Sequence, residues 1–104
     1  MLNSVSKLVG IDLETTGSSF SDRIVEIALV SYEHGVLKET FCERINPGIP
    51  IPKNSTLIHG ITDEDVAGKP HFEDIADTVL SRILNSVIFG YNVIFDFNVL
   101  SGEM

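Results

Sequence analysis

The chain has 104 residues, enough for one small domain that would bury roughly 65% of its unfolded surface. Hydrophobic residues make up 43% and charged residues 21%, and no apolar run approaches the roughly 20 residues of a transmembrane helix, which favours a soluble globular protein without a membrane partner. A single cysteine, Cys42, excludes an internal disulfide, and the first residues show no signal-peptide pattern, so we expect a cytoplasmic protein. The net charge of −8 argues against a broad basic surface for duplex nucleic acid, but not against contact with the last nucleotides of one strand.

The first predicted strand is an apolar run, residues 8–11, that leads into the octapeptide GIDLETTG at residues 10–17. Side chains alternate along a strand, so Asp12 and Glu14 project from the same face. Two carboxylates on one face could hold a divalent cation, although a lone D-x-E beside a turn is more often a solvated strand end. The next three residues would offer hydroxyls, backbone N–H groups and a permissive turn to a phosphate or nucleotide. They are Thr15, Thr16 and Gly17.

Two more strands and an irregular loop follow. Residues 24–32 form a dense run of apolar and β-branched side chains, which predicts a central strand. After a turn at residues 33–35, charged side chains break up the apolar residues of segment 36–45, which predicts a polar edge strand. Three prolines in residues 46–52 forbid regular ladders and predict a loop of restricted backbone.

Two helical segments are predicted next. Thr62, followed three residues later by Asp65, resembles a capping box and predicts a short helical turn that ends near Gly68. After Pro70, apolar residues recur at helical spacing and predict an amphipathic helix that covers one face of the sheet. These residues are Phe72, Ile75, Ala76, Val79, Leu80, Ile83 and Leu84.

The last predicted elements are a buried strand at Val87–Phe89 and, after a turn at Gly90, a helix. Asn92 is the expected N-cap of this helix, which carries Asp96 in its first turns. A crossover helix would make the last strand parallel to the first, with a right-handed connection. The predicted architecture is therefore a mixed α/β sheet in the order β-β-β-α-β-α, which brings Asp96 close to the D-x-E pair.

Five segments of the chain occur in an order shared with one enzyme superfamily. Residues 12–17 match a D-x-E-T-T-G signature in full, and residues 92–96 match the N-x-x-F-D core of an H-N-x-x-F-D signature, with Tyr91 in place of the usual histidine. The other three segments are Arg23–Ala28, Ile45–Pro47 and Ile58–Thr62, which contains H-G-I-T. Together they resemble the DEDD exonuclease superfamily, the DnaQ-like proofreading and RNA-trimming nucleases. The resemblance implies the ribonuclease H-like form of the α/β fold.

The resemblance also implies a function. Asp12, Glu14 and Asp96 would be the catalytic ligands of two Mg²⁺ or Mn²⁺ ions in a 3′-5′ exonuclease that hydrolyses the terminal phosphodiester of DNA or RNA. The implied partners are a single-stranded 3′ end and a DNA polymerase subunit. The residues implied in substrate binding are Thr15, Thr16, Gly17, His59 and Asn92.

Two interpretations of His59 stay open. In the first, which follows from the resemblance, its ring stacks on a terminal base as part of a wedge. In the second, His59 lies in a loop and hydrogen-bonds the helix start at Thr62.

The family carries a third motif, H-x-x-x-x-D or Y-x-x-x-D, and the 104 residues contain neither pattern. None of the three histidines, His34, His59 and His71, is followed five residues later by aspartate. We therefore expect residues 1–104 to form a single partial exonuclease domain, truncated at the C-terminus, without the general base and the fourth metal carboxylate. The alternative is a catalytically dead module of the same fold that binds nucleic acid or a polymerase.

Overall fold

A computed structural model describes residues 7–19, 21–90 and 92–103 of the chain. Tyr91, which replaces the histidine of the second motif, lies outside the described residues. The elements, in chain order, are β1 (Lys7–Thr15), β2 (Ile24–Glu33), β3 (Val36–Arg44), α1 (Lys53–His59), α2 (Asp63–Val66), α3 (Phe72–Ile83), β4 (Val87–Phe89) and α4 (Val93–Glu103).

The described strands form one mixed sheet in the order β3-β2-β1-β4. β1 pairs with β2, and β2 with β3, in antiparallel register, whereas β4 runs parallel to β1. The β2–β3 hairpin turns at His34 and Gly35, whose φ angles of 52° and 80° lie in the left-handed region that tight hairpins require. The prediction of a central second strand, a third strand at the edge and a parallel return is confirmed, and with it the mixed α/β architecture.

One face of the sheet carries the main hydrophobic core. Alternate residues of β1, namely Val9, Ile11 and Leu13, are buried there, as the alternation of a strand dictates. Two residues of α4, Val99 and Leu100, are also buried in this core. The core therefore ties the helix that carries Asp96 to the strand that carries the D-x-E pair.

Helix α3 packs on the same face, as predicted from its spacing. Phe72 and Val79 are buried in the core. Leu80 and Leu84 are 41% and 53% exposed, so the buried stripe is narrower than the apolar pattern of the sequence. Leu80 lies about 100° around the helix from Val79, and α3 ends at Ile83, one residue before Leu84.

The prediction of a buried last strand is wrong. Val87 and Phe89 are 43% and 46% exposed, and only Ile88 packs against the core. The reason is the position of β4 in the sheet: within the described residues it pairs only with β1, and alternation turns just one of its three side chains toward the helices.

A bulge in β2 allows two consecutive residues to be buried in different places. Glu14 is opposite Glu26, but Thr15 is opposite Ile24, so Val25 is the extra residue. Ile24 belongs to the main core, whereas Val25 belongs to a second cluster. The other members of that cluster are Ile51, Ile61 and Val66. The bulge therefore anchors the segment that contains α1 and α2 beside the end of β1.

The two short helices differ in how well the sequence predicts them. The capping box of α2 is confirmed: the Thr62 hydroxyl accepts the Asp65 N–H at 3.3 Å, and the Asp65 carboxylate accepts the Thr62 N–H at 2.9 Å. Helix α1 was not predicted, because only Ser55 of its seven residues is buried and no apolar periodicity marks it. It ends at Gly60, whose φ of 76° is left-handed. No helix in the described part of the chain is long and apolar enough to cross a membrane.

Candidate active site

The D-x-E pair lies near the end of β1. Ile11 and Leu13 are buried, whereas Asp12 is exposed and Glu14 is half-buried. The two carboxylates therefore project together from the opposite side of the strand, as alternation predicts.

Asp96 lies in the first turn of α4 and is 4% exposed. Burial, and then the negative charges of Asp12 and Glu14, raise its pKa to about 6. The pKa of Glu14 is also raised, first by burial and then by Asp12, with a smaller increase from Glu26 and an opposing effect of His59. The structure thus brings Asp12, Glu14 and Asp96 within electrostatic reach of one another.

This concentration of negative charge fits a cation. The donor atoms are carboxylate oxygens, which suit hard divalent ions, and a bound cation would relieve the mutual repulsion of the three groups. Among the described residues, however, no three His, Cys, Asp or Glu side chains converge into a ready cage for a metal ion. The site is an electrostatic match for a cation rather than a closed coordination shell.

The hydroxyls of the Thr-Thr-Gly segment bind the protein itself. The Thr15 hydroxyl donates to the Gly17 carbonyl at 2.5 Å. The Thr16 hydroxyl donates to the Asp22 carboxylate at 2.9 Å and accepts the Arg23 N–H at 3.0 Å. A Cβ atom at Gly17 would lie 2.5 Å from the Asp22 carboxylate, so a larger residue would displace the side chain that holds the Thr16 hydroxyl. These bonds fix the shape of the turn that follows the D-x-E pair.

His59 is the last residue of α1, and both of its ring nitrogens are engaged. Nδ1 accepts the Ile61 N–H at 3.1 Å, and Nε2 lies 3.1 Å from the Thr15 carbonyl oxygen. Because a carbonyl only accepts and a backbone N–H only donates, both contacts are made together only when Nε2 carries the ring proton and Nδ1 does not. In this arrangement His59 has no nitrogen free to take a proton from water.

Asn92 directly precedes α4, and its carbonyl accepts the N–H of Asp96 at 3.0 Å, so it lies at the helix start as predicted. Gly90 lies between β4 and this start. A Cβ atom at Gly90 would be 2.5 Å from the Ile11 carbonyl oxygen, so the close approach of β4 to β1 requires glycine.

These features can be set beside known proteins. Residues 9–104 match the model of the RNase_T family, described as exonuclease. The chain belongs to the RNase_T exonuclease family. The 3′-5′ exonuclease DinG of Bacillus subtilis (strain 168) is 33% identical over 100 residues, which cover 94% of this chain and 11% of that protein. DNA polymerase III subunit epsilon of Buchnera aphidicola subsp. Schizaphis graminum is 30% identical over 109 residues, which cover 98% and 47% of the two chains.

Two solved exonuclease structures share the fold of this RNase_T exonuclease chain. Exonuclease X in complex with 5′ overhanging duplex DNA is 35% identical with a TM-score of 0.73, and the match covers 89% of this chain and 53% of that one. The zinc-bound complex of Escherichia coli exonuclease I with single-stranded DNA is 26% identical with a TM-score of 0.81, covering 92% and 23%. The ribonuclease H-like α/β fold is confirmed. The chain spans about half or less of the length of all four proteins.

In this RNase_T exonuclease chain the structure also reveals residues near the site that the motifs did not indicate. A cavity of about 290 Å³ lies between the end of β1 and α1, and its lining includes Glu14, Thr15, Ser55 and His59. Ile58 lines it too, although 85% of this residue is exposed. The Ser55 hydroxyl is a long-range contact, donating to the Thr16 carbonyl at 2.6 Å. No local pattern in the sequence distinguishes Ser55 from any other helical serine.

Proposed function

We propose that this chain is part of a metal-dependent 3′-5′ exonuclease that removes nucleotides from single-stranded DNA. One observation carries the proposal: in a chain of the exonuclease family, Asp12, Glu14 and Asp96 share one charged site beside an open cavity. The 3′-5′ direction is supported by the similarity to the 3′-5′ exonuclease DinG, and a DNA substrate by the complexes of exonuclease X and exonuclease I.

We propose Mg²⁺ or Mn²⁺ as the cofactor, with two ions held by Asp12, Glu14 and Asp96. The zinc ion in the exonuclease I complex supports the use of a divalent cation. When bound, such ions supply charge neutralisation at the scissile phosphate and an activated water for hydrolysis. The three carboxylates would bind these ions near the end of β1.

The terminal nucleotide would occupy the cavity beside α1. We propose that Thr15 and Gly17 form its floor. Thr16, which sequence analysis also assigned to the substrate, is 2% exposed, and its N–H, carbonyl and hydroxyl all bond within the protein, so it would support this floor from beneath. The ring of His59 would form a wall of the cavity. Asn92, at the start of α4, would contact the bound DNA strand. Leu57 and Ile58 are 83% and 85% exposed on the same helix and offer apolar surface to a neighbouring base.

A polymerase partner and a cytoplasmic location belong to the same proposal. They are supported by the similarity to subunit epsilon of DNA polymerase III. The edge strand β3, with its charged side chains, argues for a partner that binds elsewhere.

The test is cleavage of a 5′-labelled single-stranded oligonucleotide in the presence of Mn²⁺. We expect a ladder of products shortened from the 3′ end, and no ladder with Asp12→Ala. Glu64→Ala, in the exposed acidic turn of α2, is the matched control and should leave the ladder intact. The 104 residues lack the third motif that would supply the general base, and His59 has no free nitrogen to replace it. A general-base contribution of about 10²- to 10⁴-fold would therefore be missing, so a high enzyme concentration is needed. Internal cuts, or loss from the 5′ end, would reject the proposal.

Paramagnetic broadening by Mn²⁺ locates the metal independently of turnover. Resonances around Asp12, Glu14 and Asp96 should broaden first, and Asp12→Ala should remove the effect. Broadening confined to Asp63 and Glu64 would indicate incidental binding at an acidic turn. Specific binding without any cleavage would favour the non-catalytic module instead.

A further inference from the structure

We infer that Ser55 and His59 form a backbone clamp that positions the nucleotide pocket without touching the metal ions. The clamp is defined by two hydrogen bonds: Ser55 Oγ donates to the Thr16 carbonyl at 2.6 Å, and His59 Nε2 donates to the Thr15 carbonyl at 3.1 Å. The inference rests on the proposed function, because the clamp matters to catalysis only if the cavity holds a nucleotide.

The two donors are matched to their acceptors by helix geometry. Ser55 and His59 are four residues apart on α1, so they lie one turn apart on the same side of the helix. Their acceptors are the carbonyls of consecutive residues that directly follow Glu14. One short helix therefore restrains two successive peptide groups beside the charged site.

The orientation of the His59 ring is fixed from the other side. Its Nδ1 accepts the Ile61 N–H at 3.1 Å, and the left-handed Gly60 makes this tight turn possible. The bond favours the tautomer with its proton on Nε2, which is the nitrogen that faces the Thr15 carbonyl. The Ile61 contact thus sets the tautomer that the clamp requires.

Helix α1 depends on such contacts for its placement. A seven-residue helix is too short to be stable by itself, and its N-terminus has no side-chain cap. Ser55 is the only buried residue of α1. Since Ser55, His59, Glu14 and Thr15 line the same cavity, the clamp sets the width of that cavity.

On the other side, Asp22 and the Arg23 N–H hold the Thr16 hydroxyl. The backbone after Glu14 is therefore fixed between the β1–β2 connection and α1 before any ligand binds. Such preorganisation should increase nucleotide affinity by reducing the ordering that binding would otherwise require. The metal-binding carboxylates lie outside the clamp, so their affinity for Mn²⁺ should not depend on it.

The experiment measures two affinities of the full 104-residue chain by calorimetry: that for Mn²⁺, and that for deoxythymidine 5′-monophosphate in saturating Mn²⁺. We expect Ser55→Ala and His59→Asn each to weaken nucleotide binding by about three- to tenfold, the loss of one net hydrogen bond, with Mn²⁺ affinity unchanged. His59→Gln, whose amide can still donate to the Thr15 carbonyl, should retain most of the affinity. Ser81→Ala removes an exposed serine that bonds only within α3 and serves as the control.

The outcomes separate the clamp from the proposed function. Equal weakening of Mn²⁺ and nucleotide binding, or no weakening in Ser55→Ala and His59→Asn, would overturn the clamp. A wild-type chain that binds neither ligand would reject the proposed function instead. In that case ¹⁵N chemical shifts of the wild-type His59 ring decide the clamp without any variant: a proton on Nε2 supports it, and a proton on Nδ1 overturns it.

Discussion

The negative charge of Asp96 is destabilised in the folded chain, because the residue is only 4% exposed and lies near two other acidic groups. Burial, then Asp12 and Glu14, raise its pKa to about 6, above the usual range of an aspartate. The folded state therefore binds a proton more tightly than the unfolded state does. Without metal, the chain should gain stability as the pH falls from 8 through 6, and this gain should be complete only below the unfolded pKa.

The same argument predicts the effect of removing the charge. In a chelator at pH 8, Asp96→Asn should raise the melting temperature by several degrees, because the shift corresponds to on the order of 1–3 kcal/mol. The variant should also lose the stabilisation of the wild type by Mn²⁺. Thermal unfolding at pH 5 and pH 8 measures both effects. Asp77→Asn, on the exposed side of α3, is the control. A lower melting temperature for Asp96→Asn than for the wild type at pH 8 would show that the charged Asp96 carboxylate does not destabilise the fold.

At the scale of residues, the sequence predicts the groups that follow from local periodicity. Asp12 and Glu14 share a face because strands alternate, and this needs no tertiary information. The bond from Ser55 to Thr16 joins residues 39 positions apart, so it depends on where α1 packs. For His59, the interpretation as a loop residue bonded to Thr62 is wrong, because His59 ends α1 and bonds the N–H of Ile61. Stacking of its ring on a base stays a prediction, although the ring lines the cavity.

At the scale of elements, the junction of β4 and α4 depends on Gly90. A methyl group there would lie 2.5 Å from the Ile11 carbonyl oxygen, and backbone cannot move aside as a flexible side chain can. We expect Gly90→Ala to destabilise the chain by about 1–3 kcal/mol and to weaken Mn²⁺ binding through Asp96. Urea denaturation and calorimetry measure the two effects. Gly68→Ala, where a Cβ atom would meet nothing within 4 Å, should change neither, and equal stability of the two variants would refute the close approach.

Helix α4 is also held at its other end. Glu103 accepts the backbone N–H of Ile24 at 2.9 Å, and its carboxylate lies 3.7 Å from the Arg23 guanidinium. Glu103→Ala should lower stability by about 1–3 kcal/mol, because the N–H of a buried residue loses its acceptor. Glu103→Gln keeps an acceptor and loses only the ion pair with a half-exposed arginine, which is worth no more than about 1 kcal/mol. Equal unfolding free energies for the two variants would assign the effect to the ion pair.

Elements were predictable where one pattern extends over many residues. The spacing of apolar residues in α3 predicted which side of the helix packs on the sheet. The hairpin turn predicted the antiparallel pairing of β2 with β3. Helix α1 has seven residues and one buried side chain, so its signal is too weak to detect. The burial of β4 was overestimated because an apolar run does not reveal that, among the described strands, this one lies at an edge of the sheet.

At the scale of the whole molecule, charge determines how the chain can approach a polyanion. The net charge is −8, and the sequence has seven lysines and arginines. All three arginines are engaged in ion pairs, Arg23 with Glu103, Arg44 with Glu26 and Arg82 with Glu39. Of the four lysines, Lys53 is the first residue of α1, beside the cavity that we assign to the nucleotide. Binding of a nucleic-acid strand must then depend on divalent cations and on contact with a few terminal nucleotides rather than on a basic surface.

Because few phosphates would be contacted by side chains, the affinity for a single-stranded oligonucleotide should change little with salt concentration. With one or two phosphates neutralised by side chains, the slope of log affinity against log salt for a single-stranded oligonucleotide should be no steeper than about −1.5. Fluorescence anisotropy in Mn²⁺, from about 50 to 200 mM salt, measures the slope. Lys53→Ala should reduce its magnitude by about 0.7, whereas Lys38→Ala, on the exposed edge strand β3, should leave it unchanged. A slope steeper than about −3 would require at least four phosphate contacts, which would assign binding to an extended basic path instead of the charged end of β1.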